Sequence, residues 1–198
     1  MLYYILSFFE LLGEIKNNNI LILYTKPFLM PTLYFEVLYY NYNIHYPIII
    51  SVLFSTLGDY FLLWRSNIKY FLLGIFCFMG TQISYSYYFY HNSLIKCDLL
   101  SFSIVLTITQ LILLQILDNI TNNILKVIVA LYTYMVGFMF YSAIIYHNYL
   151  VLLGCSLFVT SDILLGVNIN NIYKYQNIYN VLIMLTYLSG QYLILHNI

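Results

Sequence analysis

The chain has 198 residues, 63% hydrophobic, 20% aromatic and 7% charged, with a mean hydropathy of +0.84 and no net charge. Soluble domains carry about 25% charged residues, so the composition excludes a soluble enzyme and indicates a polytopic membrane protein. No basic block offers a nucleic-acid surface, and the scattered Cys77, Cys97 and Cys155 make neither a disulfide framework nor a metal motif.

The expected fold is all-α: a polytopic transmembrane bundle of about eight helices, formed by residues 1–198 as a single domain. A crossing helix needs about 20 mostly apolar residues. The first segment, 2–13, is shorter than that, holds Glu10, and suits a short tilted or interfacial helix. It lacks a positively charged start, so it reads as mature protein rather than a signal peptide. The following segments are expected near 20–40, 46–63, 70–90, 98–117, 124–147, 149–167 and 176–196. Short polar linkers join them, so neighbours pack antiparallel. His45, His91, His147 and His196 fall at or near helix ends, with no spacing that suits a metal.

Charge placement orients the bundle. With eight crossings, the odd-numbered linkers carry Lys16, Arg65, Lys69, Lys126 and Lys174, and the even-numbered ones only Lys96. The excess of Lys and Arg puts the odd linkers in the cytosol. The endoplasmic reticulum or another intracellular membrane is compatible with this orientation.

Two aspartates break the apolar runs: Asp59 in Ser55-Thr56-Leu57-Gly58-Asp59, and Asp162 in Phe158-Val159-Thr160-Ser161-Asp162. An acid inside a bilayer is costly and usually faces the protein interior or a wet cavity. Both lie near the cytosolic ends of their helices, about 6–8 Å inside at 1.5 Å per residue. Lys26 lies about 9 Å in from the same side, on a side chain long enough to snorkel.

Three uses of these groups stay open from the residues alone. Two carboxylates in one apolar site divide into a proton-holding acid and an ionised base, the arrangement general acid–base catalysis needs. Lys26 with either aspartate makes a structural ion pair. The same acids also suit proton-coupled transport. Ser55, one turn before Asp59, and Ser161, beside Asp162, are placed to donate hydrogen bonds to a carboxylate or a substrate. Gln82 and Gln191 are deep amides suited to interhelical hydrogen bonds or to substrate contact, and Tyr187 suits packing.

The motifs in their order resemble the lysoplasmalogenase (YhhN-like) family of membrane proteins. The resemblance runs through Lys26-Pro27-Phe28-Leu29-Met30-Pro31, Ser55-x-x-Gly58-Asp59, Phe71-x-x-Gly74 with Phe78, and Tyr132 with Met139 and Ala143. It continues through Gly154-x-x-x-Phe158-x-x-Ser161-Asp162 and Tyr187-x-x-x-Gln191-x-Leu193-Ile194. The family's Phe-x-x-x-His-x-x-Tyr departs here to Phe78, Gln82 and Tyr85. The resemblance implies hydrolysis of the vinyl ether of a lysoplasmalogen, a lysophospholipid taken from the bilayer, without metal or other cofactor. It implies Asp59 and Asp162 as catalytic residues. Lys26, Ser55, Gln82, Ser161, Tyr187 and Gln191 would bind substrate. An intramembrane aspartyl protease also uses two membrane aspartates. Its Gly-x-Gly-Asp signature is only half present, because Thr56 stands at the first glycine.

Overall fold

A computed structural model describes residues 1–40, 45–93, 97–118, 120, 122–167 and 176–198. Among these residues the chain is all-helical, with eight helices and no strand. They are α1 (Leu2–Lys16), α2 (Asn19–Tyr40), α3 (Tyr46–Leu62) and α4 (Ile68–Asn92), then α5 (Leu99–Leu117), α6 (Asn123–Tyr146), α7 (Tyr149–Val167) and α8 (Gln176–His196). Five of them, α4 to α8, are long and apolar enough to cross a membrane, while α3 is apolar but only 17 residues long. The protein is a polytopic helical membrane protein. Lys96 and Lys174, which entered the orientation argument, lie outside the described residues.

The helix ends follow local chemistry. Asn18 accepts from the backbone N–H groups of Ile20 and Leu21 as α2 begins, and Asn122 does the same for Ile124 and Leu125 at the start of α6. Pro47 enters the first turn of α3, where its missing N–H costs nothing. His147 ends α6 in the left-handed region at φ 59°. The first helix runs three residues beyond the expected segment. Gly13, the last residue of the expected segment, is a packing residue: a methyl group there would meet Ile22 Cγ1 at 2.9 Å. The helix ends instead at Asn17, left-handed at φ 50°.

The described chain divides into two compact units, one of residues 1–85 with Ile198, the other of residues 86–197. In the first, α1 packs on α2 and α2 on α3. In the second, α5, α6, α7 and α8 pack in sequence, with a core of Val105, Tyr141 and Ile145. In both units the outer surface is apolar as well as the interior. Large apolar side chains such as Leu53, Leu57, Leu111 and Leu153 face outward, as expected where lipid replaces water outside, while the helix contacts mix buried apolar side chains such as Leu29 and Phe158 with buried polar ones such as Ser55 and Gln191.

Candidate functional site

In the first unit, α3 buries one face made of Ile48, Ser51, Val52, Ser55, Gly58 and Asp59. The spacing of three and four is that of a single helix face, so the sequence itself puts two serines and an aspartate on one inward stripe. Asp59 is 2% exposed, and it interacts with other groups of the protein. The Ser55 hydroxyl lies 3.1 Å from that of Thr81 on α4, within hydrogen-bond reach. Thr81 in turn donates to the Ser51 carbonyl at 3.3 Å. Gln82, the next residue, is completely buried.

Glycines let these helices approach. Gly58 lies under the Phe78 ring, so that an added methyl group would stand 2.7 Å from Cε2. Gly74 sits against Leu62, and Gly80 against the ring of Phe54. The serine–threonine contact needs that closeness, because both side chains are short.

Lys26 is half-buried on α2, beside the buried Thr25. It precedes Pro27, and Pro31 follows one turn on, so α2 lacks two backbone donors there. Thr32 returns its hydroxyl to the Phe28 carbonyl at 2.7 Å. Glu10 and Glu14 of α1 are buried as well, and the Thr25 hydroxyl donates to Glu10. Neither acid was singled out as a site residue from the sequence. The spacing of Glu10, Gly13 and Glu14 on one helix face was the signal that would have found them.

In the second unit, α7 buries Val151, Gly154, Cys155, Phe158 and Ser161. Asp162, at the edge of that face, is half-buried and interacts with other groups of the protein. Ser161 donates to the Phe158 carbonyl at 2.8 Å, so its only proton serves its own helix. On α8, Tyr187 and Gln191 are buried one turn apart, and the Tyr187 ring meets that of Phe158 at 5.8 Å between centroids. Gly154 and Gly190 bring the two helix backbones together: a methyl group on Gly190 would stand 2.8 Å from the Gly154 carbonyl oxygen. This contact holds Gln191 and Ser161 on facing helices.

The first unit thus gathers Ser55 and Asp59, with Thr81 and Gln82 on the neighbouring helix. The second gathers Ser161, Asp162, Tyr187 and Gln191. A separate apolar groove of about 290 Å³ between α5, α6 and α7 is lined by residues such as Thr109, Gly137 and Ser156 and includes neither aspartate. Among the described residues, no group of three His, Cys, Asp or Glu side chains is placed to hold a metal ion.

Apolar outer faces, with the carboxylates of Glu10 and Asp59 and the amides of Gln82 and Gln191 buried inside, define a multi-pass membrane protein with buried polar sites. The model of the YhhN family matches residues 21–198, all of the chain but α1, the turn after it and the first two residues of α2. The chain belongs to the YhhN family. No curated protein and no solved structure matches it.

Proposed function

We propose that the protein is a lysoplasmalogenase-like hydrolase. It cleaves the vinyl ether of a lysophospholipid drawn from the bilayer, with Asp59 and Asp162 as its catalytic acids. The chemistry is R–CH=CH–O–R′ + H₂O → R–CH₂–CHO + HO–R′. A carboxylic acid protonates the β-carbon of the vinyl ether, leaving an oxocarbenium ion. A carboxylate stabilises that cation and takes a proton from the attacking water. The resulting hemiacetal collapses to a fatty aldehyde and a glycerophospho-base. Membership of the YhhN family, over a match that includes both aspartates, supports this chemistry.

The observation that carries the proposal is the inward face of α3. Asp59 is buried there one turn after Ser55, an expensive position for an acid that only occupies space. Gln82, where the family pattern has a histidine, orients water or substrate through its amide but does not titrate. Lys26 contacts the lipid phosphate, and Ser55, Ser161, Tyr187 and Gln191 contribute polar contacts to the bound lipid.

Hydrolysis in D₂O tests the bond-making step. Proton transfer to carbon places one deuterium on the carbon beside the aldehyde, and the expected product carries it. Aldehyde without that deuterium, or no aldehyde from folded protein, contradicts the proposed reaction.

A further inference from the structure

The groove between α5, α6 and α7 has a volume of about 290 Å³, at the lower end of small-molecule sites, roughly 300–1,000 Å³. Two of its residues carry hydroxyls, and neither makes it polar. Thr109 donates to the Leu106 carbonyl and Ser156 to the Leu152 carbonyl, each at 2.8 Å within its own helix. Gly137 brings α6 onto this side of α5, where an added methyl group would collide with Thr109 Cγ2. No polar atom reaches the groove surface. A headgroup seated there would lose its water and find no partner, whereas a hydrocarbon chain has nothing to lose.

The groove is in register with Asp162. Helices α5 and α7 both pack on α6, and Ile116 of α5 meets Gly166 of α7, each one residue before the end of its helix. The two helices therefore end at one level. Ile112 and Asp162 each lie five residues before those ends. The α5 lining runs from Ile112 back to Val105, about 10 Å deeper at 1.5 Å per residue. On α7, Val159 and Ser156 line the groove, about 4.5 and 9 Å deeper than Asp162. Both walls thus start near the carboxylate and lead towards the middle of the helices. That is the path of a lipid tail whose polar end stays at the helix ends.

We propose that the groove between α5, α6 and α7 holds the hydrocarbon tail of a single-chain lipid whose first carbons lie at Asp162, and that its α7 wall, Ser156 and Val159, sets chain preference. That the lipid is then hydrolysed rests on the function proposed above; the seat for the tail does not.

Two readouts separate the seat from the chemistry. In nanodiscs, lysoplasmenyl-choline carrying a diazirine at mid-chain is photolysed with the purified protein, and the cross-linked residues are mapped by mass spectrometry. Cross-links to the groove walls are expected, reduced several-fold by excess unlabelled lysoplasmenyl-choline and by Ser156→Phe, whose ring fills the groove. Labelling confined to outward residues such as Leu111 and Leu153 overturns the proposal. So does groove labelling that unlabelled lysolipid does not reduce, which makes ordinary bilayer lipid the occupant. The second readout is chain preference. Ser156→Phe is expected to lower kcat/KM several-fold more for a hexadecenyl substrate than for a hexenyl one, whose chain is too short to pass Ser156. Leu153→Phe adds the same ring to the outward face and is expected to keep the wild-type ratio. An unchanged ratio in Ser156→Phe overturns the proposal. If that variant does not fold, Ser156→Leu carries both tests with the same outcomes. Competed groove labelling without any hydrolysis by wild type supports the seat and contradicts the hydrolase; hydrolysis without competed labelling does the reverse.

Discussion

The Ser55 and Thr81 hydroxyls lie 3.1 Å apart, joining α3 to α4 one turn before Asp59 and one residue before Gln82. Interhelical hydrogen bonds of this kind in membrane proteins contribute about 0.6 kcal/mol on average and at most about 1.7. Ser55→Ala is therefore expected to lower thermal stability only slightly. Its effect on turnover should be larger than its effect on stability, because Ser55 shares the inward stripe with Asp59. Thermal unfolding in detergent, alongside steady-state kinetics of the same preparation, checks the difference.

Gly58 makes a steric prediction. A methyl group there would stand 2.7 Å from Phe78 Cε2 and 2.9 Å from Cδ2, so the ring must move. Gly58→Ala is expected to cost about 1–3 kcal/mol, the usual range for overpacking, and to reduce turnover because Asp59 is the next residue. Phe78→Leu in the same chain should recover part of both losses. Melting temperature and initial rate, measured on the single and double variants, decide it.

A harsher outcome is expected on α7 and α8. A methyl group on Gly190 would meet the Gly154 carbonyl oxygen at 2.8 Å and the Phe158 nitrogen at 2.9 Å. These are backbone atoms, which cannot rotate aside as a ring can. Gly190→Ala should cost at least the upper part of the about 1–3 kcal/mol range, and more than Gly58→Ala. Comparing the two variants by fluorescence-detected size exclusion after heating checks the order.

Asp98 gives a pH dependence. It caps α5, accepting from the Leu100 N–H at 3.2 Å and from the Ser101 hydroxyl, while its own N–H donates to the Tyr141 hydroxyl at 3.0 Å. The Ser101 hydrogen bond holds the Asp98 carboxyl below its ordinary range. A lowered folded pKa means the cap contributes fully above the unfolded value, about 3.9, and is lost as pH falls through the lower folded value. Asp98→Asn keeps a capping oxygen and should flatten the acid limb of a stability-against-pH curve. An unaltered acid limb contradicts this.

Much of the architecture was legible because hydrophobic runs and polar linkers alternate cleanly. The ends of α7 and α8 fall where their apolar runs begin and stop. The end of α1 did not, because Gly13 serves packing against Ile22 rather than chain reversal, and a glycine's two uses look alike in a sequence. Asp59 and Asp162 were visible as acids in apolar runs. Glu10 was visible too, but its burial depends on α1 folding back on α2, with the Thr25 hydroxyl as its partner. Thr81 escaped notice for a similar reason: a threonine in an apolar helix is ordinary until Ser55 lies opposite it.

The central claim is tested most directly by aldehyde release from lysoplasmenyl-choline and lysoplasmenyl-ethanolamine. The purified protein is compared with its Asp59→Asn and Asp162→Asn variants, each confirmed as folded. Release by the wild type, abolished in both variants, is the expected result. Release that persists in both variants contradicts the assignment of the acids, and none from folded wild type contradicts the reaction.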